Sequence, residues 1–260
     1  MTAEQNNWQA DLDLILAAAR QAGEVAFGYF GNKPEVWWKN DGRSPVSAAD
    51  YAANAVLEKV LRTARPDYGW LSEETEDGHD RLSRKTAFVV DPVDGTRAFI
   101  SGLDTWCVSV AVVHDGLPVA GVLVAPALGE EFLAVKGGVA QRNGQAITVS
   151  FPSVVLNIAA PEDVVADLQK NTAQTINRIK HVPSLAYRLA MVADGRIDGT
   201  LVRTGSHDWD LAAADLILQC AGGRLVNLDG SPIVYNKPVV SHPSLCAASE
   251  ATLGGLLNAL

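Results

Sequence analysis

The 260-residue chain has no apolar run approaching the roughly 18 residues that a membrane-spanning helix needs, and it opens on the polar MTAEQNNWQADLD where a secretory signal would be basic and then apolar. Nothing therefore points to a membrane partner, and a cytoplasmic location is expected. Cysteine is scarce: Cys107, Cys220 and Cys246 are an odd number, widely spaced and without a CxxC pair. That pattern excludes a disulfide framework and a zinc site, and leaves three small hydrophobes for the core. Cations are also in short supply, with 21 Lys and Arg against 30 Asp and Glu and a formal net charge of −9. So acidic a surface repels a phosphate backbone; a nucleic-acid polymer is not an expected partner, and any phosphorylated ligand needs cations brought to it. Repeats, low-complexity blocks and Pro/Ser-rich linkers are missing as well.

What is present is a globular composition, 48% hydrophobic and 20% charged, long enough for one large domain or two small ones. Trp8, Leu12, Ile15, Leu16, Ala19, Ala22 and Ala26 recur at three and four, which predicts a helix over 8–29. Ser47-Ala48-Ala49-Asp50 has capping-box spacing, and Val56, Leu57, Val60 and Leu61 continue one face of a second helix. Short apolar runs at 68–72, 87–90, 107–113, 119–124, 132–135 and 147–149 read as strands, with Asn143-Gly144 as the strongest hairpin cue among the turns. Beyond residue 150 the pattern alternates: strand 154–159, helices 161–170 and 184–193, strand 197–202, helix 210–221 closed by Gly222-Gly223, strand 224–227. The expectation is an α/β (α+β) fold: an N-terminal lobe, 1–150, with a mixed or antiparallel sheet and two helices, and a C-terminal α/β lobe, 151–260, sharing one cleft.

The densest chemical signal is Asp91-Pro92-Val93-Asp94-Gly95-Thr96, directly after an apolar strand. An abrupt strand end delivers two carboxylates to one spot at a sheet edge, and the short helix expected at 97–100 has free N–H groups that suit a phosphate. Asp-Pro and Asp-Gly are also ordinary turn dipeptides, so the rest of the acid set matters. Glu73 and Glu74 leave a second strand; Asp210 follows Trp209 at a helix start, where it also reads as an N-cap, as Asp50 reads as a capping-box partner. If Glu73, Asp91, Asp94 and Asp210 share one cleft, each pair about 4 Å apart repels by roughly 4 kcal/mol at an effective dielectric near 20. A counter-charge is then required. All-oxygen donors with the Val93 carbonyl between two of them favour a hard cation, Mg²⁺ before others, and the D-x-D-x-D-G loop of an EF-hand is missing.

Asp50, Ser72-Glu73-Glu74, Asp91 to Thr96, and Trp209-Asp210-Leu211-Ala212-Ala213, in that order, resemble the motif set of the inositol monophosphatase superfamily, Mg²⁺-dependent and often lithium-sensitive phosphomonoesterases. The likeness runs over roughly residues 39–238. It implies a layered α-β-α-β-α sugar-phosphatase fold and hydrolysis of a small phosphorylated metabolite by metal-activated water. It further implies that Glu73, Asp91 and the Val93 carbonyl hold one Mg²⁺, that Asp91, Asp94 and Asp210 hold a second, and that Glu73 assists a weaker third. The N–H groups of Gly95 and Thr96 would bind phosphate, and the Thr96 hydroxyl, oriented by Asp50, would position the water. Glu74 would stand behind the ligands, and Lys39, in Lys39-Asn40-Asp41-Gly42, would lie on a segment often mobile near the metals, unless it is simply a solvated lysine. Homodimers are frequent in that family.

Two rivals weaken on inspection. Haloacid-dehalogenase-type phosphatases carry D-x-D-G-T near the N-terminus, whereas these acids are three apart, with Pro92 between them, well inside the chain. A degenerate relative acting as a non-catalytic regulator would lack a ligand, and none is lacking. The substrate stays open. Inositol phosphatases often carry an acid seven residues before the Trp-Asp acid, where this chain has Arg203, a residue that suits a second anion if it is not a plain surface arginine. With Leu71-Ser72-Glu73-Glu74 in place of the more frequent Gly-Glu-Glu, this tilts the reading to a 3'(2'),5'-bisphosphate nucleotidase acting on 3'-phosphoadenosine 5'-phosphate, the alternative being an inositol-1-monophosphatase or related sugar or cyclitol phosphatase.

Overall fold

The computed structural model describes residues 3–32, 34–39, 44–151 and 153–260. Two long helices open the chain, α1 (Ala3–Tyr29) and α2 (Ala48–Ala64), with the small antiparallel ribbon β1 (Val36–Lys39) and β2 (Ser44–Ser47) between them. The capping box read from the sequence is formed: the Ser47 hydroxyl accepts from the Ala49 N–H at 3.2 Å, and Asp50 accepts from the Ser47 N–H at 2.9 Å. A seven-stranded sheet follows, made of β3 (Gly69–Ser72), β4 (Thr86–Asp94), β5 (Cys107–His114), β6 (Leu117–Ala125), β7 (Glu130–Val135), β8 (Gln141–Arg142) and β9 (Gln145–Ala146), side by side in that order. Only β3 and β4 are parallel, and the five-residue helix α3 (Thr96–Ile100) leaves the end of β4.

The second half builds a five-stranded sheet in the order β11 (Thr175–Arg178), β10 (Val155–Ala159), β12 (Gly199–Val202), β14 (Leu245–Ser249), β13 (Gly223–Asn227). Here β10 runs parallel to both β11 and β12, so three carboxyl ends point the same way. Its helices are α4 (Glu162–Asn171), α5 (Leu185–Ala193), α6 (Asp208–Cys220) and α7 (Glu250–Ala259).

Stacking follows from which faces are apolar. Ile15, Ala19 and Ala22 of α1 and Ala53, Leu57 and Leu61 of α2 bury against Phe88, Val90, Val108 and Val122 on one face of the seven-stranded sheet. Its other face, with Val89, Ala111 and Leu123, packs on Leu189 of α5 and Leu211 and Ala213 of α6, which reach Leu225 and Leu245 of the second sheet. Leu168 of α4 and Leu253 and Leu256 of α7 close that sheet's far side over Leu156, Ile158 and Cys246. The result is an α-β-α-β-α sandwich with α5 and α6 as its shared middle layer. Cys107 and Cys246 are buried, as small hydrophobes.

Several details differ from the sequence reading. Residues 147–149 are not a strand; the hairpin closes two residues earlier, because Asn143 and Gly144, at φ of 50° and 76°, already make the tight turn between β8 and β9. The helix expected at 210–221 begins at Asp208, which puts Asp210 at its third position rather than at the N-cap, held by His207. The β1–β2 ribbon, β11, β14 and α7 carried no periodic signal: β11 is the polar Thr-Ile-Asn-Arg, and α7 contains Gly254-Gly255.

The middle layer sits close to β6. A Cβ on Gly121 would lie 2.8 Å from the Ala213 carbonyl oxygen and 3.0 Å from its Cα, both backbone atoms of α6. Gly121→Ala is therefore expected to lower stability by about 1–3 kcal/mol through overpacking, read as a lower midpoint in denaturant with an unchanged slope.

Candidate metal centre

Two acids three residues apart on a regular strand would face opposite sides of the sheet. At the end of β4 they do not, because Asp91 pairs with Ser109 and Asp94 with Cys107, three residues against two. The bulge sits at Pro92, which has no N–H to give to the ladder. It turns both carboxylates to one side, where Asp210, from the first turn of α6, joins them: an oxygen from each of the three lies within 4.8 Å of the others. Glu73, one residue past β3 and anchored by its N–H on the Val90 carbonyl at 3.2 Å, lines the same 310 Å³ cleft with the Val93, Gly95 and Thr96 positions.

Each acid is held by neighbours. Asp91 Oδ1 accepts from the Val93 N–H at 2.9 Å. Asp94 accepts from the Ser184 hydroxyl, from the Ala186 N–H at 2.7 Å and from the Leu185 N–H at 3.3 Å, so an acid from one sheet caps the N-terminus of α5. Asp210 Oδ2 accepts from the His207 N–H at 2.6 Å. Gly95 follows with φ of 94°, and a Cβ there would meet Ser184 Cβ at 3.0 Å and the Thr105 carbonyl oxygen at 3.1 Å, so glycine is required on both counts. Thr96 Oγ1 lies 3.0 Å from Asp50 Oδ1 and 3.1 Å from the Val93 carbonyl oxygen. A hydroxyl has one proton; given to Asp50, it leaves the Val93 carbonyl free as an acceptor.

Burial and crowding set the electrostatics. Asp91, Asp94 and Asp50 are all buried, and no Lys or Arg forms an ion pair with Glu73, Asp91 or Asp94 among the described residues. Burial, then repulsion from Glu74 and Asp210, pushes Glu73 up to about 8. Burial, then repulsion from Asp210, pushes Asp94 up to about 7 against the pull of its hydrogen bonds, and burial with Glu73 and Asp94 drives Asp91 well above the usual carboxylate range. Burial raises Asp50 too. Such a set could hold a cation, and its chemistry, oxygen donors without His or Cys, fits Mg²⁺.

Other residues fall outside the cluster. Glu74 turns away and pairs with Lys39 at 2.6 Å, so Lys39 is neither freely solvated nor in contact with the three aspartates; Asn40, Asp41 and Gly42 lie outside the described residues. Arg203 is not brought to the acids. It pairs with Asp163 at 2.8 Å on the rim of a neighbouring 470 Å³ cavity, lined also by Arg178, Arg188 and His181, with His181 on the wall of both cavities. Nothing in the sequence singles out Ser184, the N–H groups beyond it or Arg188; Ser184 reads only as a helix start, since nothing local says that a distant aspartate lands on it.

The inositol monophosphatase family model matches residues 8–259. An inositol-1-monophosphatase of Mesorhizobium japonicum is 31% identical over 96% of this chain and 95% of its own length. A 3'(2'),5'-bisphosphate nucleotidase CysQ of Aggregatibacter actinomycetemcomitans is 32% identical over 86% of each. Among solved structures, the extragenic suppressor protein suhB of Bartonella henselae superposes with a TM-score of 0.82 at 29% identity, covering 96% of this chain and 98% of that one.

The raised carboxyls make metal-free stability depend on pH. Asp94 moves from 3.8 to about 7 and Glu73 from 4.5 to about 8, so between those values the folded chain holds more protons than the unfolded one. Their favourable contribution is full below about pH 4 and is lost as pH rises through 7 and 8. In EDTA the melting temperature should fall from about pH 6 to about pH 8.5, and Mg²⁺ should raise it more at the higher pH. A melting temperature indifferent to Mg²⁺ at both would show that the acids hold no cation.

Proposed function

The chain belongs to the inositol monophosphatase family and is a phosphatase, a hydrolase of phosphate monoesters; from that premise we propose that it cleaves a small phosphorylated metabolite in the cleft between Glu73, Asp91, Asp94 and Asp210. The family is generally Mg²⁺-dependent, and the acidic cluster suits that ion. Glu73, Asp91, the Val93 carbonyl, Asp94 and Asp210 would hold it, with room in the donor set for two ions and a weaker third. When bound, Mg²⁺ supplies neutralisation of phosphate charge and acidification of a nearby water.

The chain's own residues do the rest. Hydrolysis of a phosphate ester asks for alignment and charge control rather than a protein nucleophile. Asp50, already fixed by two bonds from Ser47, accepts the hydrogen bond of the Thr96 hydroxyl and so points the hydroxyl's lone pairs outward, where they accept from the attacking water. The first N–H groups of α3, at Gly95 and Thr96, lack intrahelical acceptors and donate to the phosphate. Glu73, just past the end of the neighbouring strand β3, orients the water from that side, and Glu74 holds Lys39 behind it.

For the substrate, we read a 3'(2'),5'-bisphosphate nucleotidase acting on 3'-phosphoadenosine 5'-phosphate. One observation carries this: the cavity next to the acid cleft is lined by Arg178, Arg188 and Arg203, and the buried Nε of Arg188 has no hydrogen-bond acceptor. A second phosphate in the cavity would offer the Arg188 guanidinium a charge-matched acceptor. Glu162 and Asp163 at the rim pair with Arg178 and Arg203, so Arg188, deeper in, is the stronger candidate. A cyclitol monophosphate is the second reading, favoured by the likeness to the Mesorhizobium japonicum protein along nearly its whole length.

The ratio of kcat/KM for 3'-phosphoadenosine 5'-phosphate and inositol 1-phosphate separates the two. Arg188→Ala should cut kcat/KM for the bisphosphate by about 10- to 100-fold, a charge-assisted hydrogen bond being worth about 1.5–3 kcal/mol, and leave the cyclitol ester within about twofold. Equal losses on both would remove the second phosphate from the argument.

A further inference from the structure

Asp210 belongs to the C-terminal half, whereas Glu73, Asp91 and Asp94 come from the first sheet, so something must hold the first turn of α6 in register with that sheet. The segment between Asn236 and His242 runs along it. The Asp208 N–H donates to the Val240 carbonyl at 3.0 Å, the His242 N–H to the Ser206 carbonyl at 2.7 Å, and the Gly205 N–H back to the His242 carbonyl at 2.9 Å. Side chains tighten the seam. Asp208, buried and two residues ahead of Asp210, accepts from His242 Nε2 at 2.7 Å on one oxygen and from the Asn236 N–H at 2.7 Å on the other.

This segment is tied in turn to the first half. Arg81, whose side chain is fully buried, donates through one Nη to the Asn236 side-chain oxygen at 2.8 Å and through the other to the Lys237 carbonyl at 3.0 Å. Its remaining donors form a fork on Asp77 at 2.6–3.1 Å. Asp77 and Arg81 lie on the stretch that follows β3 and Glu73. A continuous polar strut therefore runs from the Glu73 side to the Asp210 side: Asp77, Arg81, Asn236, Asp208, His242. None of these side chains lines the acid cleft.

We propose that Arg81 and His242 are positioning residues that, through Asn236 and Asp208, set the first turn of α6 so that Asp210 meets Asp91 and Asp94 within reach of one cation. The inference rests on the reading of Asp210 as a metal ligand. A buried ionic chain stabilises weakly in itself, because desolvation offsets most of its attraction, but it specifies one arrangement sharply, since every misalignment leaves a buried group unpaired. Partners that orient a ligand typically change metal affinity by about 10–100-fold when removed.

The test is calorimetric titration of MgCl₂ into the full-length, metal-free chain, with melting temperature in EDTA measured alongside. His242→Ala should weaken the Mg²⁺ Kd by about tenfold, and His242→Gln, which keeps a donor near the Nε2 position, should recover most of it. If His242→Ala does not fold, Arg81→Lys, which keeps the charge and loses the fork, is measured instead and should weaken Mg²⁺ in the same direction. Variants with a lower melting temperature but the wild-type Kd overturn the positioning role and leave Asp210 as a ligand. Wild-type protein that takes up no Mg²⁺, together with full turnover in Asp210→Asn, overturns the metal reading and the strut with it.

Discussion

Three carboxylates with oxygens inside 4.8 Å of one another, two from the bulged end of β4 and buried, one from the first turn of α6 and half-buried, form an arrangement that burial opposes and mutual repulsion opposes again. The chain spends structure on holding it. A strand is bulged at a proline, a helix N-terminus is laid on Asp94, and the third position of another helix is given to Asp210. None of these lowers the repulsion by itself, which is why Glu73 and Asp94 are pushed toward neutrality without a counter-ion. The same frustration is what a divalent cation would relieve, since charge neutralisation gains most where carboxylates crowd one another.

The middle layer makes this possible. Helices α5 and α6 pack on both sheets, so residues 185–186 and Asp210 are delivered from one side while the β4 bulge arrives from the other. Gly121 lets α6 come down onto β6, and Gly95 lets the chain turn under Ser184 without a side chain in the way. Packing and the geometry of the acid cluster are here one constraint, because a shift of α6 on β6 also shifts Asp210 against Asp91 and Asp94.

Beside the acids lies a cavity of opposite character, at the carboxyl ends of β10, β11 and β12 and rimmed by arginine. Parallel strands put their carboxyl ends on one edge, and ligands gather there for the same geometric reason in other open sheets. A chain of net charge −9 thus keeps a cluster of arginines next to its acidic cleft, two of them paired with Glu162 and Asp163.

Much of the framework was legible without coordinates, for local reasons. The capping box at Ser47 and Asp50, the apolar stripe of α1 and the Asn143-Gly144 turn need only neighbours in sequence to act, and each is formed. The acid motifs were equally visible, since abrupt strand ends and a helix start advertise themselves. What the chain could not declare is which distant partners meet: that the Asp94 carboxylate would cap α5, that α6 would begin at Asp208 and put Asp210 at its third position beside Asp91 and Asp94, that Arg203 would be drawn to Asp163 while Arg188 lined the cavity, or that Arg81 would tie Asn236 across 155 positions. Residue types and local periodicity determined most of the elements, though not β1, β2, β11, β14 or α7, and the kind of chemistry to expect. Only the packed sandwich decided which side chains share a cleft, because contact between remote segments is selected by the burial of whole faces, a free energy that no short stretch of sequence contains.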